Sequence, residues 1–573
     1  MRLALVTTWG GGGLVRPLAE DGTPAGPVER VNDLVAAVKE READGAPRWV
    51  WASTAEIYPL LLKAGLRVAR CHDLALTEAL LLGQDGRWGE PRSVAAAWAR
   101  LHGQPVPDDP APGPRDLQAT LFEPDRSGLP DGGDALDAVV AVHREQVVRI
   151  EKAAEPGPFR LLIAAESAGA LAAAEMGHTG LPWSAEVHDA LLVEQLGPRP
   201  APGQLPARLG ELGAEISAAF GGRRVNPDAP AEVVRALARE GVQVPSARSW
   251  VLREVDHPAA PLLLEYKELS RLHAAHGWSW LESWVRGGRF RPEYIAGGVV
   301  SGRWATRGGG ALQIPRGVRR AVVADPGWAL VVADASQLEP RVLAALSGDR
   351  GMADASTRTD LYAALAAEAF DGDRGRAKIA LLAAMYGQTS GEAAQLLAAM
   401  RTRFPVALEY VEAAARAGER GELVRSRLGR TCPPPSERWR DVLTGVSRSQ
   451  SQSDGDASAE SDADAGRRSG QAARERGRFT RNFVVQASAA DWALALLAIL
   501  RGRLAGLDAS GGRPELVFFQ HDEVLVHCPL ALADEVVAAV NESAAEAGRL
   551  VFGATPVRFP LSIAVVDSYA DAK

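Results

Sequence analysis

Cysteine is scarce and scattered in this sequence of 573 residues. Its three cysteines, Cys71, Cys432 and Cys528, form no CxxC pair and show no spacing typical of a metal site. The sequence therefore offers neither a disulfide framework nor a zinc motif. We expect reduced, buried thiols in a cytoplasmic protein.

Long apolar runs are also missing. No uninterrupted apolar stretch reaches the roughly 18 residues that a membrane helix needs. The apolar run within residues 1–13 is too short for a signal peptide, and no clear cleavage site follows it. The sequence thus predicts a protein without membrane association.

A net positive charge is lacking as well, because 64 Lys and Arg face 72 Asp and Glu, which gives −8. Domains that bind nucleic acids are usually basic, so this sum gives no support to such a function. The charge is unevenly spread, however, and five arginines lie close together: Arg303, Arg307, Arg316, Arg319 and Arg320. Local basic strips can bind phosphates beside an acidic metal pocket, so the overall sum is a weak test.

The length of the chain predicts two to four domains, since it exceeds what one compact core contains. Within residues 1–180, strand-like runs at 2–8 and 49–52 alternate with helix-like runs at 56–64 and 74–82. This alternation predicts a small α/β domain. Segments rich in Pro, Gly and Asp, at 105–114 and 123–134, predict loops.

The central part of the chain, from about 155 to 285, is predominantly helical in pattern. The break at Asn226-Pro227-Asp228 predicts a helix boundary, where Asp228 could cap the following helix. Residues 361–400 are again helical in pattern, and a further helix is predicted from about 472 to 503.

Residues 447–470 are of low complexity, polar and without aromatic side chains. Such a segment buries too little apolar surface to offset its ordering entropy. We therefore predict a disordered surface insertion there. Near the C-terminus, apolar runs at 515–519 and 524–528 predict a β-hairpin.

The first candidate chemistry lies in residues 321–346, whose pattern is strand, acidic turn and helix. The apolar strand ends at Asp334, and Mg²⁺ is normally held by one or two carboxylates together with substrate phosphates. Taken alone, Asp334 could equally be the N-cap of the helix that follows.

The second candidate is the bend of the C-terminal hairpin, which contains Asp522 and Glu523. In isolation these two acids indicate an ordinary polar turn. Brought beside Asp334, they would support a two-metal site with ions about 3.5–4 Å apart.

The third candidate is a helix with Arg374, Lys378, Leu382 and Tyr386 at steps of four residues. Each step rotates only about 40° around an α-helix, so these side chains share one broad face. That arrangement suits a triphosphate, although a solvated amphipathic helix would place its charges in the same way.

Together these motifs resemble the polymerase domain of family A DNA polymerases, in order from about residue 182 to the C-terminus. Three segments resemble motifs A, B and C of that family: residues 333–344, Arg374-xxx-Lys378-xxxxxxx-Tyr386-Gly387, and His521-Asp522-Glu523. Further resemblances are Ser301-Gly302-Arg303 ahead of Gln313-Ile314-Pro315, Asn482-xxx-Gln486 through Asp491, Arg224-Val225-Asn226-Pro227, and residues 264–269.

The resemblance implies a role for each matched residue. Asp334 and Asp522 would hold two Mg²⁺ ions, with Mn²⁺ as an alternative, and Glu523 would support the site. Arg374 and Lys378 would contact the incoming deoxynucleoside triphosphate (dNTP), and Lys378 would donate a proton to the leaving pyrophosphate. The other implied dNTP-binding residues are Gln337, Glu339 as the steric gate, Leu382, Tyr386 and His521, which would also touch the primer end.

The resemblance also implies DNA-binding residues and a fold. The duplex would be lined by Arg303, Arg478, Asn482, Gln486 and Gly387, the last leaving room for the template base. The implied fold is α+β and multidomain, a right hand with a thumb at 181–300, a palm at 301–350 and 485–573, and fingers at 351–484. The implied partners are primer-template DNA and dNTPs, bound by a monomer in the cytoplasm, at the nucleoid.

Residues 1–180 occupy the place where the family carries a 3′–5′ exonuclease domain, which is ribonuclease H-like. That chemistry needs paired metals, and its first acids would lie on a first strand that here has none. We therefore expect an inactive domain that serves as a scaffold. The alternatives left open are an exonuclease, a non-catalytic DNA-binding protein on a polymerase fold, and a single-subunit RNA polymerase.

The sequence departs from the family pattern at two positions that matter for substrate binding. Leu382 stands where an aromatic residue usually stacks on the deoxyribose, so we expect altered discrimination against sugar analogues such as dideoxynucleotides. Pro340 follows the gate residue Glu339, and proline is tolerated in the first turn of a helix. We therefore expect the site to retain its shape.

Overall fold

A computed structural model gives the structure of the chain and describes residues 1–110, 129, 133–310, 314–387, 392–443, 459–520 and 522–572. Two larger β-sheets lie in these ranges, one near each end of the sequence, and helices connect and cover them. The mixture of helix and sheet agrees with the predicted α+β class. The N-terminal sheet packs in its own apolar clusters, whereas the C-terminal sheet contributes to two larger ones.

The N-terminal sheet has five strands within the described part of residues 1–180. The strands are β1 (Arg2–Thr7), β2 (Gly13–Leu18), β3 (Glu29–Val31), β4 (Arg48–Trp51) and β5 (Arg70–Asp73). The helices are α1 (Leu34–Ala43), α2 (Thr54–Lys63), α3 (Leu74–Gln84), α4 (Val94–Leu101), α5 (Ala135–Glu151) and α6 (Pro156–Thr179). The strand order is β3-β2-β1-β4-β5, antiparallel from β1 to β3 and parallel from β1 through β4 to β5.

Strand β4 shows why this sheet forms. Trp49, Val50 and Trp51 are all fully buried, although neighbouring side chains on a strand point to opposite faces. Parallel strands that helices cover on both faces are expected to be apolar throughout. The pattern of alternating strands and helices therefore gave a correct α/β prediction. Of the predicted loops, residues 105–110, 129 and 133–134 lie outside helices and strands, while 111–114, 123–128 and 130–132 are not among the described residues.

The middle of the chain is mainly helical, as the pattern predicted. A short strand β6 (Leu181–Pro182) is followed by α7 (Ala185–Leu196), α8 (Ala207–Ala219), α9 (Pro230–Arg239), α10 (Ser249–Leu252), α11 (Ala259–His276) and α12 (Trp278–Trp284). Four short strands then lead to the second sheet: β7 (Val285–Arg286), β8 (Arg289–Phe290), β9 (Glu293–Ile295) and β10 (Ala305–Arg307).

The prediction that Asp228 caps a helix is wrong. Helix α9 has Ala229 as its N-cap residue, with no side-chain cap, because Pro230 opens the helix one residue further along. The Asp228 carboxylate instead accepts hydrogen bonds from the Tyr266 hydroxyl at 2.8 Å and the Ser270 hydroxyl at 3.1 Å. Asp228 therefore joins two helical segments rather than stabilising the end of one.

The predicted strand, acidic turn and helix are β11 (Trp328–Ala335) and α13 (Leu338–Ser347), which confirms that motif. The helices that follow are α14 (Arg350–Ser356), α15 (Leu361–Ala369), α16 (Arg374–Tyr386), α17 (Glu392–Arg403), α18 (Pro405–Glu419), α19 (Glu437–Leu443) and α20 (Ala459–Leu504). The helical pattern at 361–400 is thus three separate helices rather than one.

The C-terminal sheet consists of four antiparallel strands. The predicted hairpin is β12 (Glu515–Gln520) and β13 (Glu523–Pro529), and it is followed by α21 (Ala533–Phe552) and β14 (Leu561–Val566). The strand order β12-β13-β11-β14 places β11 beside β13, although the two lie far apart in the sequence. This pairing brings the two acidic motifs together at one end of strands β11 and β13.

Helix α20 lies in an apolar cluster that also contains residues from the N-terminal and C-terminal parts of the chain. Its fully buried Trp492 and Leu497 share one apolar cluster with Phe159 of α6 and Val536 of α21. Within the described ranges one helix, Arg468–Leu504, is long and apolar enough to cross a membrane, and 83% of its most apolar window is buried inside the protein. Core helices pass the same test, so this position in the core accounts for its composition.

Helix α20 begins earlier than the sequence pattern predicted. We expected a disordered segment up to residue 470, but the structure has helix from Ala459 onward. The Ala, Glu and Arg residues of 459–470 are good helix formers, and adding residues to an existing helix is easier than starting one. The rest of the predicted insertion, 447–458, lies outside the described residues.

The three thiols behave as the sequence predicted. Cys71, Cys432 and Cys528 are all free and buried. Burial raises the pKa of Cys71 to about 12 and that of Cys528 to about 11. These two thiols therefore stay protonated near neutral pH and behave as small apolar side chains.

Candidate active site

The two aspartates that are predicted to bind metal ions are neighbours along the backbone, at one end of the inner strands of the C-terminal sheet. Asp334 is the last residue but one of β11, and it pairs with Glu523 at the start of β13. The Ala335 amide donates a hydrogen bond to the Asp522 carbonyl at 2.9 Å, which fixes Asp522 against the end of β11. Both aspartates are half-buried. The sheet thus assembles a pair of carboxylates that the sequence could only align by resemblance.

The alternative reading of Asp334 as a helix N-cap is wrong. The N-cap residue of α13 is Gln337, three positions further on, and its backbone is left-handed with φ of 58°. A non-glycine residue is uncommon in this conformation. The conformation costs of order 1–3 kcal/mol and persists only where surrounding contacts hold the residue in place. The Gln337 side chain supplies such support, because its Oε1 accepts from the Leu361 amide at 2.8 Å and its Nε2 donates to Asp360 at 2.9 Å.

Glu523 occupies a different environment from the two aspartates. Its side chain is 4% exposed, and its Oε2 accepts a hydrogen bond from the Tyr569 hydroxyl at 2.9 Å. Burial, together with the Glu523 charge, raises the pKa of Tyr569, and the Arg319 guanidinium lies 4.4 Å from the ring centre. The hydrogen bond from Tyr569, in the C-terminal segment, therefore holds the Glu523 carboxylate inside the fold. The sequence singled out neither Tyr569 nor this anchoring.

The donor set suits a hard cation that is completed by substrate. Among the residues that the structure describes, no group of three or more His, Cys, Asp and Glu side chains forms a metal cage. Asp334 lies near the end of β11 and Asp522 in the turn before β13, and Mg²⁺ usually takes one or two carboxylates plus phosphate oxygens and water. The residues present therefore fit Mg²⁺ bound together with a nucleotide.

Glu339, the predicted steric gate, is held by two partners. Its carboxylate, 15% exposed, accepts hydrogen bonds from the Arg303 guanidinium and from the Tyr386 hydroxyl, the latter at 3.0 Å. Gln486 reaches the same hydroxyl at 3.4 Å. Partial burial, followed by the nearby Glu339 charge, raises the pKa of Tyr386. The structure thus joins four predicted site residues from four distant segments in one network: Arg303, Glu339, Tyr386 and Gln486.

A cavity of about 130 Å³ lies beside this network. Its lining includes Arg303, Glu339 and Asp522, together with Phe519 and Ala490. The cavity therefore connects the gate carboxylate with one of the paired aspartates. The resemblance implies that Glu339, which lines this cavity, contacts the nucleotide sugar.

Helix α16 presents the predicted triphosphate face. Arg374 and Lys378 are exposed and Leu382 and Tyr386 are half-buried, whereas Ala377 and its buried neighbours face the core. The face that was predicted from the spacing is confirmed. Leu382 packs at the border of the main apolar cluster, as an apolar substitute for an aromatic residue should.

The predicted duplex-binding residues of α20 also share a face. Arg478 is exposed, and Asn482 and Gln486 follow at steps of four and are half-buried. Gly387 ends α16 with φ of 69°, and a Cβ there would lie 3.0 Å from Cγ of Arg478. Both the backbone conformation and the space therefore favour glycine at this position. His521 and Gln313 lie outside the described residues.

A buried cluster of charged side chains lies beside Gly302, the residue before Arg303. The sequence did not predict this cluster. Arg430 donates to Glu166 at 2.7 Å and to Asp491 at 3.0 Å, and all three side chains are at most 7% exposed. A Cβ on Gly302 would collide with the Arg430 guanidinium at 2.3 Å, so only glycine fits there. Glu166 belongs to α6 and Asp491 to α20, so no local pattern could have paired them.

Arg341 is a second buried cation that the sequence did not single out. It is 1% exposed, and burial lowers its pKa to about 10. Its guanidinium donates to backbone carbonyls of Ser336, Ser356, Arg358, Thr359 and Arg558. These bonds fix the turn between β11 and α13 against the segment that leads into α15.

Asp73, His72 and His143, beside the N-terminal sheet, are buried inside the protein. Asp73 is 2% exposed and accepts from the amides of Thr54 at 2.7 Å and Leu76 at 2.9 Å. His72 contacts Gln146 at 3.1 Å, and burial lowers its pKa to about 4. Burial likewise lowers the pKa of His143 to about 2. These groups are built into the core rather than presented to a ligand.

Comparison with known proteins identifies the family of this site. The family model of DNA polymerase family A matches residues 202–570, which is more than half of the chain. The chain belongs to DNA polymerase family A. The match contains both acidic motifs, helix α16 and helix α20, so the predicted family is confirmed.

Individual relatives support the assignment. The chain is 30% identical over 332 residues to the thermostable DNA polymerase I of Thermus thermophilus, covering 55% of this chain and 36% of that protein. It is 36% identical over 133 residues to DNA polymerase I of Chloroflexus aurantiacus, covering 21% of this chain and 14% of that protein. The matched segments thus span about a third or less of these two relatives.

A solved structure supports the fold over almost the whole chain. The POL domain of Pol1 from M. smegmatis, in complex with DNA primer-template and dNTP, matches with a TM-score of 0.70 and 18% identity. The match covers 99% of this chain and 95% of that one. The right-hand family A polymerase fold, mixed and multidomain, is therefore confirmed.

Proposed function

We propose that this chain catalyses template-directed DNA synthesis, adding nucleotides from dNTPs to the 3′-hydroxyl of a primer. The observation that carries the proposal is the meeting of Asp334 and Asp522 at the end of β11, fixed by the backbone bond between Ala335 and Asp522. Membership of family A and the names of the two relatives support the same activity.

Asp334 and Asp522 would hold two Mg²⁺ ions, with Mn²⁺ as an alternative. When bound, such ions activate the attacking hydroxyl and neutralise charge on the phosphates. Glu523, anchored by Tyr569, would keep the start of β13 in place beside Asp334. Its buried position suits a supporting role better than direct contact with an ion.

Helix α16 would bind the triphosphate. Arg374 and Lys378 are exposed on one face and can place cationic donors on phosphate oxygens. Lys378 is the proposed proton donor to the leaving pyrophosphate. Most of the rate enhancement in phosphoryl transfer comes from positioning and from charge stabilisation, which these residues would supply.

Glu339 would exclude a ribose 2′-hydroxyl. Its carboxylate is fixed between Arg303 and Tyr386, so it cannot easily rotate away from the sugar. Leu382 would contact the sugar, and Gln337 and His521 would complete the nucleotide site. A gate that is held from two sides favours deoxynucleotides over ribonucleotides, which argues against an RNA polymerase.

Primer-template DNA would lie along α20. Arg478, Asn482 and Gln486 form a line on one face, and Gly387 leaves space beside Arg478 for the template. Arg303, which contacts the proposed gate residue Glu339, would also contact the duplex. Contacts of this kind position DNA without selecting its sequence.

Residues 1–180 would be an inactive exonuclease-like domain that serves as a scaffold. The strand order β3-β2-β1-β4-β5 is compatible with a ribonuclease H-like sheet, and β1 carries no acid. Asp73 serves the local fold through its two amide bonds. We further propose that the protein acts as a monomer in the cytoplasm, at the nucleoid and away from the membrane.

The decisive experiment is primer extension with Mg²⁺ and the four dNTPs, beside the variant Asp522→Ala and a control without nucleotides. Extension by the wild type that the variant lacks would support the polymerase and its metal site. Primer shortening without nucleotides would instead favour an exonuclease. DNA binding without extension would favour a non-catalytic DNA-binding protein and overturn the proposal.

A further inference from the structure

Asp360 is the meeting point of three segments around the proposed nucleotide site. Its carboxylate accepts hydrogen bonds from Gln337 Nε2 at 2.9 Å, from the Ala363 amide at 3.1 Å and from Arg374 Nε at 2.7 Å. Gln337 belongs to the turn after Asp334, and Arg374 opens α16. One carboxylate therefore links the metal-site turn with the proposed triphosphate helix.

The bond to Arg374 has a geometry that suits phosphate binding. It uses Nε, so this contact does not occupy the two terminal amino groups of the guanidinium. Those two groups are the ones that a guanidinium directs at oxygen pairs of phosphates. The Arg374 guanidinium also lies 5.5 Å from the centre of the Tyr362 ring. Asp360 and Tyr362 together restrict the orientations of an otherwise exposed side chain.

Stability alone gives a weak reason for this arrangement. The side chains of Arg374 and Asp360 are 54% and 40% exposed, and ion pairs as exposed as this contribute little to folding. Partial burial would raise the pKa of Asp360, but the hydrogen bonds from Arg374, Ala363 and Gln337 outweigh it and lower the pKa. The carboxylate is thus ionised at neutral pH and maintains a charged contact to Arg374.

We propose that Asp360 is a positioning residue for the incoming nucleotide, which holds Arg374 in the orientation that binds the triphosphate and ties it to Gln337. Holding Arg374 in advance reduces the rotamer freedom that would otherwise be lost when the nucleotide binds. The proposal rests on the proposed function, because it assumes that Arg374 contacts the triphosphate. It adds Asp360 to that site as a residue that acts through Arg374.

The test is single-turnover primer extension at varied dNTP concentration with Asp360→Asn. Asparagine is as good an N-cap as aspartate and can still accept from Gln337, so α15 should keep its start. We expect the apparent Kd for dNTP to rise about tenfold, the change expected from loss of one charge-assisted hydrogen bond. The maximal rate should fall less than about twofold, and DNA affinity and melting temperature should not change.

A double-mutant cycle separates positioning from a merely structural role. In an Arg374→Ala background, Asp360→Asn should have no further effect on the apparent Kd, because its target is gone. The matched control is Asp33→Asn, since Asp33 also caps a helix, α1, through the Ala36 amide at 3.0 Å and lies in the N-terminal region. That substitution should leave the apparent Kd for dNTP unchanged.

Three results would overturn the inference: an unchanged apparent Kd, an equal effect in both backgrounds, or tighter dNTP binding by Asp360→Asn. The last would mean that Asp360 restrains Arg374 instead of presenting it. Wild-type protein that does not extend primers would refute the proposed function itself. Extension by wild type with no effect of Asp360→Asn would refute only the role of Asp360.

Discussion

Two strands of this protein carry an aspartate near their end and are followed by a helix, and the two aspartates lie in different surroundings. Strand β5 ends at Asp73 and α3 begins at the next residue, so the Asp73 carboxylate accepts from the Leu76 amide as an ordinary N-cap. Strand β11 carries Asp334, but α13 begins only at Leu338. The intervening residues place Gln337 at the N-cap and leave Asp334 beside the hairpin.

The difference shows that spacing and partners, rather than the local motif, decide the role of such an acid. Asp73 is 2% exposed, and its bonds to the amides of Thr54 and Leu76 stabilise the fold. Asp334 is half-buried, and the backbone of a second acidic residue, Asp522, is bonded to the end of its strand. Carboxylates placed together repel each other unless a cation joins them. We therefore expect Asp73 to serve stability and Asp334 to serve catalysis.

The largest expected effect is that of Asp334→Ala on primer extension. The single-turnover rate should fall at least about 1,000-fold, roughly 4 kcal/mol of transition-state stabilisation. The melting temperature should change little, because Asp334 is half-buried near the end of β11 and does not belong to the apolar core. Rapid-quench extension and thermal unfolding on the same preparation would measure both. If Asp334→Ala kept a tenth of the wild-type rate, the expected contrast between a catalytic Asp334 and a structural Asp73 would be wrong.

The opposite result is expected for Asp73→Ala. The free energy of unfolding should fall by about 2 kcal/mol, because two buried amides, of Thr54 and Leu76, lose their acceptor. Extension per folded molecule should stay within about twofold. Denaturant unfolding followed by circular dichroism would measure the loss of stability.

The matched control for that change is Asp73→Asn. Asparagine has one acceptor oxygen, which can keep the N-cap bond from the Leu76 amide but not also the bond from Thr54, so it should cost less stability than alanine. Equal losses for both variants would assign the effect to the charge instead of the cap. A loss of activity with unchanged stability would contradict the scaffold role.

A smaller effect should distinguish the two buried tyrosine–glutamate pairs. Tyr569 donates to Glu523 beside the C-terminal sheet, and Tyr58 donates to Glu175 beside the N-terminal sheet. Tyr569→Phe and Tyr58→Phe should each cost about 1–2 kcal/mol of stability. Only Tyr569→Phe should slow primer extension, by several-fold, because Glu523 pairs with Asp334. Equal slowing by both would show that the effect passes through stability alone.

The smallest expected effect concerns the nucleotide sugar. Leu382→Phe should change the ratio of dideoxynucleotide to deoxynucleotide incorporation by about two- to tenfold, the range of one aromatic contact. Asp73→Ala should leave that ratio unchanged, since the N-terminal sheet is not expected to touch the nucleotide. Competitive single-nucleotide incorporation would measure it, and identical ratios for wild type and Leu382→Phe would reject a role for this position.

Much of the site followed from local sequence, where the signal is periodic or covalently close. The strand before Asp334, the hairpin around Asp522 and the shared face of Arg374, Lys378 and Tyr386 were all predicted and confirmed. These features depend on apolar periodicity and on the 3.6-residue turn, which any contiguous segment reveals. The resemblance to family A then put the segments in one site.

Other features depended on residues that are distant in the sequence, and tertiary structure alone decided them. The buried Glu166–Arg430–Asp491 cluster and the pairing of Glu523 with Tyr569 join segments with no common pattern. The mistaken cap at Asp228 has the same cause, because Tyr266 and Ser270 compete for its carboxylate from another helix.

The sequence by itself predicted the strand before Asp334, the C-terminal hairpin and the shared face of α16, because each is a periodic pattern within one contiguous segment. Tertiary structure decided whether an acid caps a helix, as Asp73 does, or lies beside a second acidic residue, as Asp334 does. Asp73 and Asp334 carry the same carboxyl group and follow similar strands. Their roles diverge because a helix starts at once after Asp73, whereas three residues separate Asp334 from its helix and strand pairing brings Asp522 beside it.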